Sequence, residues 1–179
     1  MSDKKMNLLE ALAKELNEAE DIEQASVFTK EELNAPADVV RCQLNEMGAD
    51  MLYLLGEFYF LPFEEEEVYY FSTAITVYDE LPEEAAILMG VAASKLDYLL
   101  PCGAFTLSGD GSTLVYRYTA QLMADESEDK LIQKMLTAVD AAILTVDKFE
   151  GFLMLVAEGE LTPEEMMDVV MGKRDSSED

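Results

Sequence analysis

Hydrophobic side chains in the first part of the chain recur at helical intervals. From residue 6 to residue 19 they are spaced by three or four positions, and Glu10 and Lys14 fall off this stripe. Such a period predicts an amphipathic α-helix. Residues 29–32, Thr-Lys-Glu-Glu, have the form of a capping box and predict one short helical turn, which Pro36 helps to end.

The period then changes from 3.6 to 2 residues. Segments 39–44, 51–61 and 68–78 are rich in Tyr, Phe, Val and Ile, which are residues that β-strands favour. The links between the segments are short, so the simplest arrangement of the three strands is an antiparallel meander.

A second helix is predicted after the meander. Residues 81–84, Leu-Pro-Glu-Glu, form a typical helix start, because proline and acidic side chains are favoured in the first turn. The helix should run to about Leu99, with Ile87, Val91 and Tyr98 among the residues along one face.

The remaining elements are a hairpin, a long helix and a short last helix. Two apolar runs flank residues 109–111, Gly-Asp-Gly, and Asp-Gly between such runs is a strong hairpin signal. Asp125 and Glu128 have capping-box spacing before the longest helical stripe, which Gly159 should end. A Thr-Pro-Glu-Glu stretch then predicts the last helix.

These elements follow the order α-β-β-β-α-β-β-α, with one short helix added at the C-terminal end. Strands in blocks separated by helices predict an α+β fold, in which helices flank a five-stranded antiparallel sheet. At 179 residues, one domain is expected. We assign residues 1–171 to this single domain and residues 172–179 to a flexible acidic tail.

The predicted meander is apolar on both faces, whereas a sheet covered on one side alternates apolar and polar residues. In the second strand, Leu54 and Phe58 share one face, and the opposite face is also apolar or tyrosyl. Such a second face is covered by the domain's own helices, is a dimer interface, or binds a client segment. The candidate partner or dimer contacts on it are Tyr53, Leu55, Tyr59, Leu61, Tyr70 and Tyr78.

The charge of the chain excludes several kinds of partner. Twelve Lys and Arg against 38 Asp and Glu leave a formal net charge of −26. Such a field repels nucleic-acid phosphates and anionic lipid, so we predict that the chain binds neither nucleic acid nor membrane. It favours a partner that carries positive charge. The simplest alternative is that the carboxylates keep a bacterial cytosolic protein in solution.

The side chains that most enzymes need are scarce. Histidine is absent, which excludes Ser-His and Cys-His nucleophiles and histidine metal sites. Cys42 alternates with apolar neighbours as a core residue does, and Cys102 lies in a loop. Residues 64–67, four consecutive glutamates, are typical of a solvated turn. We therefore predict a protein that is not an enzyme, with no catalytic residues, no metal and no cofactor.

Two features favour a cytoplasmic location. The N-terminal segment lacks the uninterrupted apolar region of a secretory signal, and no segment approaches the ~18 apolar residues of a membrane span. The two cysteines match no metal-ligand spacing and suit a reducing compartment.

The element order over roughly residues 5–157 resembles the type III secretion chaperone-like fold, which is shared with the YbjN-type family of sensory-transduction regulators. The local stretches that carry the resemblance are residues 103–107, Gly-Ala-Phe-Thr-Leu, residues 114–118, Leu-Val-Tyr-Arg-Tyr, and the helix after them. Members of the chaperone group are small, acidic, dimeric proteins that hold an extended segment of a secreted client. The resemblance therefore implies a homodimer and a protein client. Client-binding residues of that group form no fixed motif, so none is carried over, and the helix from Pro163 lies outside the shared pattern.

Two functions fit these observations. The leading hypothesis is a cytoplasmic, homodimeric, chaperone-like or regulatory adaptor domain. It would hold a partner segment on its apolar, tyrosine-rich sheet face, while its carboxylates attract a basic partner. The alternative is a regulatory domain that senses a small ligand in a pocket between sheet and helix.

Overall fold

The computed structural model describes residues 2–48, 51–63 and 67–173. Residues 174–179 of the predicted tail lie outside these ranges. Within them, no helix is both long enough and apolar enough to cross a membrane. The elements in chain order are α1 (Ser2–Leu16), β1 (Ile22–Phe28), α2 (Lys30–Leu33), β2 (Val39–Met47), β3 (Leu52–Phe60), β4 (Val68–Tyr78), α3 (Glu83–Asp97), β5 (Ala104–Leu107), β6 (Leu114–Met123), α4 (Glu128–Ala157) and α5 (Pro163–Val170).

One of the two predicted capping boxes is confirmed. The Thr29 hydroxyl accepts a hydrogen bond from the backbone N–H of Glu32 at the start of α2. Thr162 makes the equivalent box at the start of α5. The box predicted before α4 is wrong, because the residue before that helix is Ser127, which makes no side-chain capping bond.

The sheet has six antiparallel strands in the order β1-β2-β3-β4-β6-β5, so the predicted five-stranded sheet is wrong. The additional strand is β1, which pairs with β2 at one edge. Its register shifts between Glu23 and Ser26, and Gln24 has a φ of 56°. This bulge buries Ile22 and Ala25, which are three residues apart, so the apolar positions of β1 do not alternate with a period of 2.

The three longest helices pack on one face of the sheet. α4 lies against β4 and β6, α1 against β1 and β2, and α3 against β5. α5 packs on the outside of this layer, against α3 and α4. Burial of the apolar surfaces between the sheet and these helices forms the core. Side chains fully buried there include Leu8, Phe58, Phe71, Ile75, Met89, Tyr116 and Met135.

α3 is apolar on more than one side. The face named from the sequence is exposed, with Ile87 at 79% and Tyr98 at 90% of their full accessibility and Val91 also exposed. Leu88 and Leu99 extend it, and we call these five residues the α3 stripe. The opposite side packs into the core and consists mostly of small residues: Ala85, Met89, Ala92, Ala93 and Leu96.

The turn after β2 is attached to the C-terminal half of α4. The backbone N–H of Gly48 donates to Asp147 Oδ1 at 2.8 Å. Glu150, the next carboxylate of α4, is fully buried, and its side chain occupies the space where a Cβ on Gly48 would lie. Gly48 has a φ of 65°, a conformation that favours glycine. Ala49 and Asp50, which follow in the link between β2 and β3, lie outside the described residues.

Candidate binding face

The sheet face opposite the helices, which we call the open face, carries most of the predicted contact residues. Within the described ranges, none of the four longer helices covers it, because their contacts are with the other face and with one another. Tyr53 and Leu55 are exposed there, at 70% and 43%, and Phe63 and Met123 are exposed farther along, near β4 and β6. Tyr59, Leu61 and Tyr70 are half-buried beside them.

Tyr78 lies apart from this group. The register of β4 against β6 shifts between Thr76 and Tyr78, so that Tyr78 is opposite the buried Leu114. Its side chain packs against the core on the helix side. Counting in steps of two from Tyr70 puts Tyr78 on the open face, and the additional residue at the bulge reverses its side. The open face therefore contains five of the six predicted residues.

Small residues of the central strand are covered by side chains of the open face itself. Ser72 and Ala74 of β4 point to this face, yet both are buried. Tyr59 on β3 and Arg117 on β6 flank them, and Arg117 Nη1 donates to Tyr59 Oη at 2.9 Å. Because this bond joins the strands on either side of β4, the two side chains form a polar bridge over its small residues.

The charge of the open face differs from that of the whole chain. Arg41 on β2 donates from Nε to Glu57 Oε1 on β3 at 2.8 Å, and its Nη2 lies 2.8 Å from the same oxygen. The Arg41 guanidinium also lies 5.9 Å from the centre of the Phe28 ring. Arg117 makes no ion pair with any residue that the structure describes. Two of the chain's three arginines thus lie on this face, which makes its centre much less acidic than the net charge of −26 suggests.

A groove of about 370 Å³ lies at the β1 end of the open face. It forms where the bulge at Gln24 moves β1 away from regular pairing. Its wall combines hydrogen-bonding groups with apolar surface, which is typical of binding sites for peptides and small ligands. The residues that line it are Gln24, Phe28, Arg41, Cys42, Gln43, Tyr53, Leu54 and Leu55.

Sequence reasoning found the apolar residues of this face but missed its polar ones. Arg41 and Arg117 were assigned no function, although arginine inside a predicted strand is unusual in a chain with only 12 cationic residues. That scarcity is the signal that could have identified them. Gln24 and Phe28 could not be assigned, because β1 itself was not predicted.

Cys42 is a core residue, and the carboxylate of Asp110 organises a turn. Burial raises the pKa of the Cys42 thiol to about 12, so this side chain stays protonated in the core. Asp110 accepts hydrogen bonds from Ser108 and Ser112 within the β5–β6 turn, which lowers the pKa of its carboxyl to about 2. Among the residues with described positions, no three His, Cys, Asp or Glu side chains are arranged to hold a metal ion. Residues 64–66 of the glutamate run lie outside those positions.

No protein-family model and no curated protein matches this chain. The resemblance to type III secretion chaperones and to the YbjN-type family therefore stays a prediction. Among the described residues, the open face and the α3 stripe each group several exposed apolar side chains.

Proposed function

We propose that the chain is a non-catalytic, chaperone-like or adaptor domain that holds a segment of a partner protein on its open face, in the cytoplasm. The observation that carries this proposal is the exposure of Tyr53 and Leu55 beside the groove. Large apolar and tyrosyl side chains on a face without a covering helix are a typical protein contact. The absence of histidine and the buried thiol of Cys42 support a role other than catalysis.

The open face is suited to an extended segment with mixed side chains. Tyr53 and Leu55 provide apolar area, and the amides of Gln24 and Gln43 can bond to a backbone. The negative field of the rest of the molecule would attract basic residues that flank the bound segment. The segment itself would carry few cations, because Arg41 and Arg117 lie where it binds.

A double replacement of the exposed pair tests this proposal. Tyr53→Ser with Leu55→Ser should weaken binding of the natural partner at least about tenfold, since two central apolar contacts are lost. Partners are captured from the native extract with tagged wild-type protein, and their affinity is then measured with purified components. Leu144→Ser is the matched control, because Leu144 is an equally apolar side chain, 68% exposed, on the helix side.

Three results are distinguishable. Loss of the partner in the double variant but not in Leu144→Ser supports the open face as the site. Equal binding by all three proteins places the contact elsewhere and rejects the open face. If the extract yields no partner at low or moderate salt, while a small molecule raises the melting temperature of the wild type, the ligand-sensing alternative replaces the proposal; the groove near Arg41 supports that alternative.

We further propose that the α3 stripe is the contact of a homodimer. A second copy of this chain also carries a charge of −26, so two copies can associate only where acidic side chains are few. From Ala85 to Ser94, α3 has no charged residue. In an antiparallel pair, Lys95 near one end of α3 would approach Glu83 and Glu84 at the other end of its partner's helix, which favours this orientation.

Val91→Glu is expected to convert the dimer into a monomer. Val91 is exposed at the middle of the stripe, so each dimer would bury two new carboxylates without partners. Light scattering after size exclusion should give twice the mass of one chain for the wild type and for the control Leu144→Glu. It should give the mass of one chain for Val91→Glu, with an unchanged circular dichroism spectrum. A monomeric wild type would reject the dimer.

A further inference from the structure

The outer edge of β6 is only partly paired. β6 contains ten residues, but β5 contains four and covers only the part from Leu114 to Arg117. On its other side β6 pairs with β4 as far as Met123. Across the described residues, no strand pairs with the outer edge from Tyr118 onward.

The backbone bonds at the two ends of β6 identify the groups that point outward. Before the strand, Thr113 O accepts from Ser108 N on the β5 side. After it, Ala124 N donates to Glu67 O on the β4 side. Residues of an antiparallel strand alternate between its two neighbours, and β6 has no bulge between these points. Odd-numbered residues therefore bond outward, so Thr119, Gln121 and Met123 direct their N–H and C=O groups to the open edge.

Most of these outward groups have no backbone partner among the residues described. Met123 O accepts from Glu126 N at 3.1 Å in the following turn. No other backbone bond involves the outward groups of Thr119, Gln121 or Met123. In a protein partner, such a row of donors and acceptors is matched by another extended backbone, because a helix has used its own groups internally.

Gly103 lies just before β5 and explains why this strand does not begin earlier. Gly103 has a φ of 70°, and a Cβ there would overlap Tyr116 Oη and lie 2.8 Å from Arg117 O. The backbone of Gly103 therefore lies directly against β6, where no side chain would fit. From this glycine the chain enters β5, which pairs with β6 only between Arg117 and Leu114. Tyr116 Oη donates to Cys102 O at 2.9 Å and fixes the segment before it. The site beyond Arg117, in line with β5, is left unpaired.

The side chains of the open edge carry no protection against pairing. Residues 118–123 read Tyr-Thr-Ala-Gln-Leu-Met, without charge, proline or glycine. Exposed edges are usually protected by such residues. Charged side chains lie at the two ends of this segment. Arg117 lies at the end beside β5, and the exposed acids Asp125 and Asp129 follow Met123 at the other end.

We propose that this edge binds an extended segment of a partner protein as a seventh strand, antiparallel to β6 and in line with β5. The segment would alternate apolar residues over Tyr118, Ala120 and Leu122 with polar residues beside Thr119 and Gln121. Its N-terminal end lies beside the acidic turn and carries lysine or arginine. This inference rests on the proposed function, since it gives the partner protein a second anchor, across β4 from Tyr53 and Leu55.

Amide hydrogen exchange tests the unpaired edge directly. In the free protein, the amides of Thr119, Gln121 and Met123 should exchange quickly, while those of Ala120 and Leu122, which bond to β4, exchange slowly. The probe is a capped peptide, Lys-Lys-Val-Thr-Val-Thr-Val, added to the complete chain. At about 90% occupancy, exchange at Thr119 and Gln121 should slow roughly tenfold, because only the unbound fraction exchanges.

Two variants at one position separate pairing from side-chain contact. Gln121→Pro removes an outward N–H and places its ring at the edge, without removing a bond to β4, and edge strands tolerate such a proline. It should abolish the slower exchange at Thr119 and reduce peptide affinity at least about tenfold. Gln121→Val keeps the N–H and should bind the peptide like the wild type. A peptide with Glu-Glu in place of Lys-Lys should bind more weakly.

The outcomes separate this inference from the proposed function. Slow exchange at Thr119 and Gln121 in the free protein at all concentrations would overturn it, as would the lack of any effect of the peptide on these amides. Slowing that depends on protein concentration alone would assign the edge to a second copy instead. If Gln121→Pro keeps full affinity for the natural partner and the Tyr53→Ser, Leu55→Ser variant loses it, the open face stands and the edge is rejected.

Discussion

Gly48→Ala is expected to lower the free energy of unfolding by about 3 kcal/mol. A φ of 65° costs an alanine about 1 to 2 kcal/mol relative to the ordinary helical region. The new Cβ would also overlap Glu150 Oε1, and a fully buried carboxylate has little room to move, which adds about 1 to 3 kcal/mol. Urea unfolding followed by circular dichroism and by tyrosine fluorescence measures the change, since the chain has no tryptophan.

Gly151→Ala is the matched control, because Gly151 is the residue after Glu150. It lies inside α4, and a Cβ there would meet no other atom within 4 Å. Alanine should therefore stabilise the protein by about 0.5 to 1 kcal/mol, through the higher helix propensity of alanine. A loss of more than about 2 kcal/mol for Gly48→Ala exceeds the cost of its φ alone and would establish that the β2–β3 turn depends on its contact with α4. Equal stability of Gly48→Ala and wild type would contradict that dependence.

Regular periods in the sequence were enough to predict most of the fold. α1, α4 and the strands of the meander were found from apolar residues that repeat about every 3.6 or 2 positions, and the shorter helices and the β5–β6 hairpin from capping and turn residues. β1 was missed because the bulge at Gln24 changes its buried positions to Ile22 and Ala25. Tyr78 was placed on the open face for a related reason, since the bulge in β4 adds one residue to the count. A bulge depends on pairing with distant strands, so a local pattern cannot reveal it.

The orientation of α3 illustrates a different limit. Both sides of this helix are apolar, so the period alone does not decide which side enters the core. The structure buries the side with three alanines and leaves Ile87 and Tyr98 in solvent. Which of two apolar sides packs inward depends on the shape of the neighbouring elements, here β5 and α4. The apolar side that remains exposed is the one that needs a functional explanation.

The polar bridge on the open face also depends on tertiary structure. Tyr59 and Arg117 are 58 positions apart, and their contact arises because β3 and β6 lie on either side of β4. The sequence predicted a tyrosine-rich face but not that part of it covers Ser72 and Ala74. Tyr53 is therefore the most accessible tyrosine of this face, and it lies with the exposed Leu55 beside the groove. The partner contact, which the sequence suggested along the whole meander, is therefore proposed for the end of the open face near β1.

The melting temperature is expected to rise by about 4 °C or more when NaCl is increased from about 10 mM to about 200 mM, which corresponds to about 1 to 2 kcal/mol for a chain of this size. The reason is self-repulsion at a net charge of −26, which folding concentrates in a small volume. The screening length falls from about 30 Å to below about 8 Å over this range, which is less than the distance across the domain. Differential scanning calorimetry at constant pH measures the change.

A charge-reduced variant separates repulsion from other effects of salt. Glu18→Lys with Glu20→Lys changes two exposed residues that make no ion pair within the described parts of the chain. It lowers the net negative charge by four, so its melting temperature at low salt should exceed that of the wild type, and its gain with salt should be smaller.

Partner binding should respond to salt in the opposite direction, because salt weakens the attraction between the acidic surface and basic flanking residues. A melting temperature that does not change with salt would contradict self-repulsion, whereas binding that strengthens with salt would contradict a basic partner.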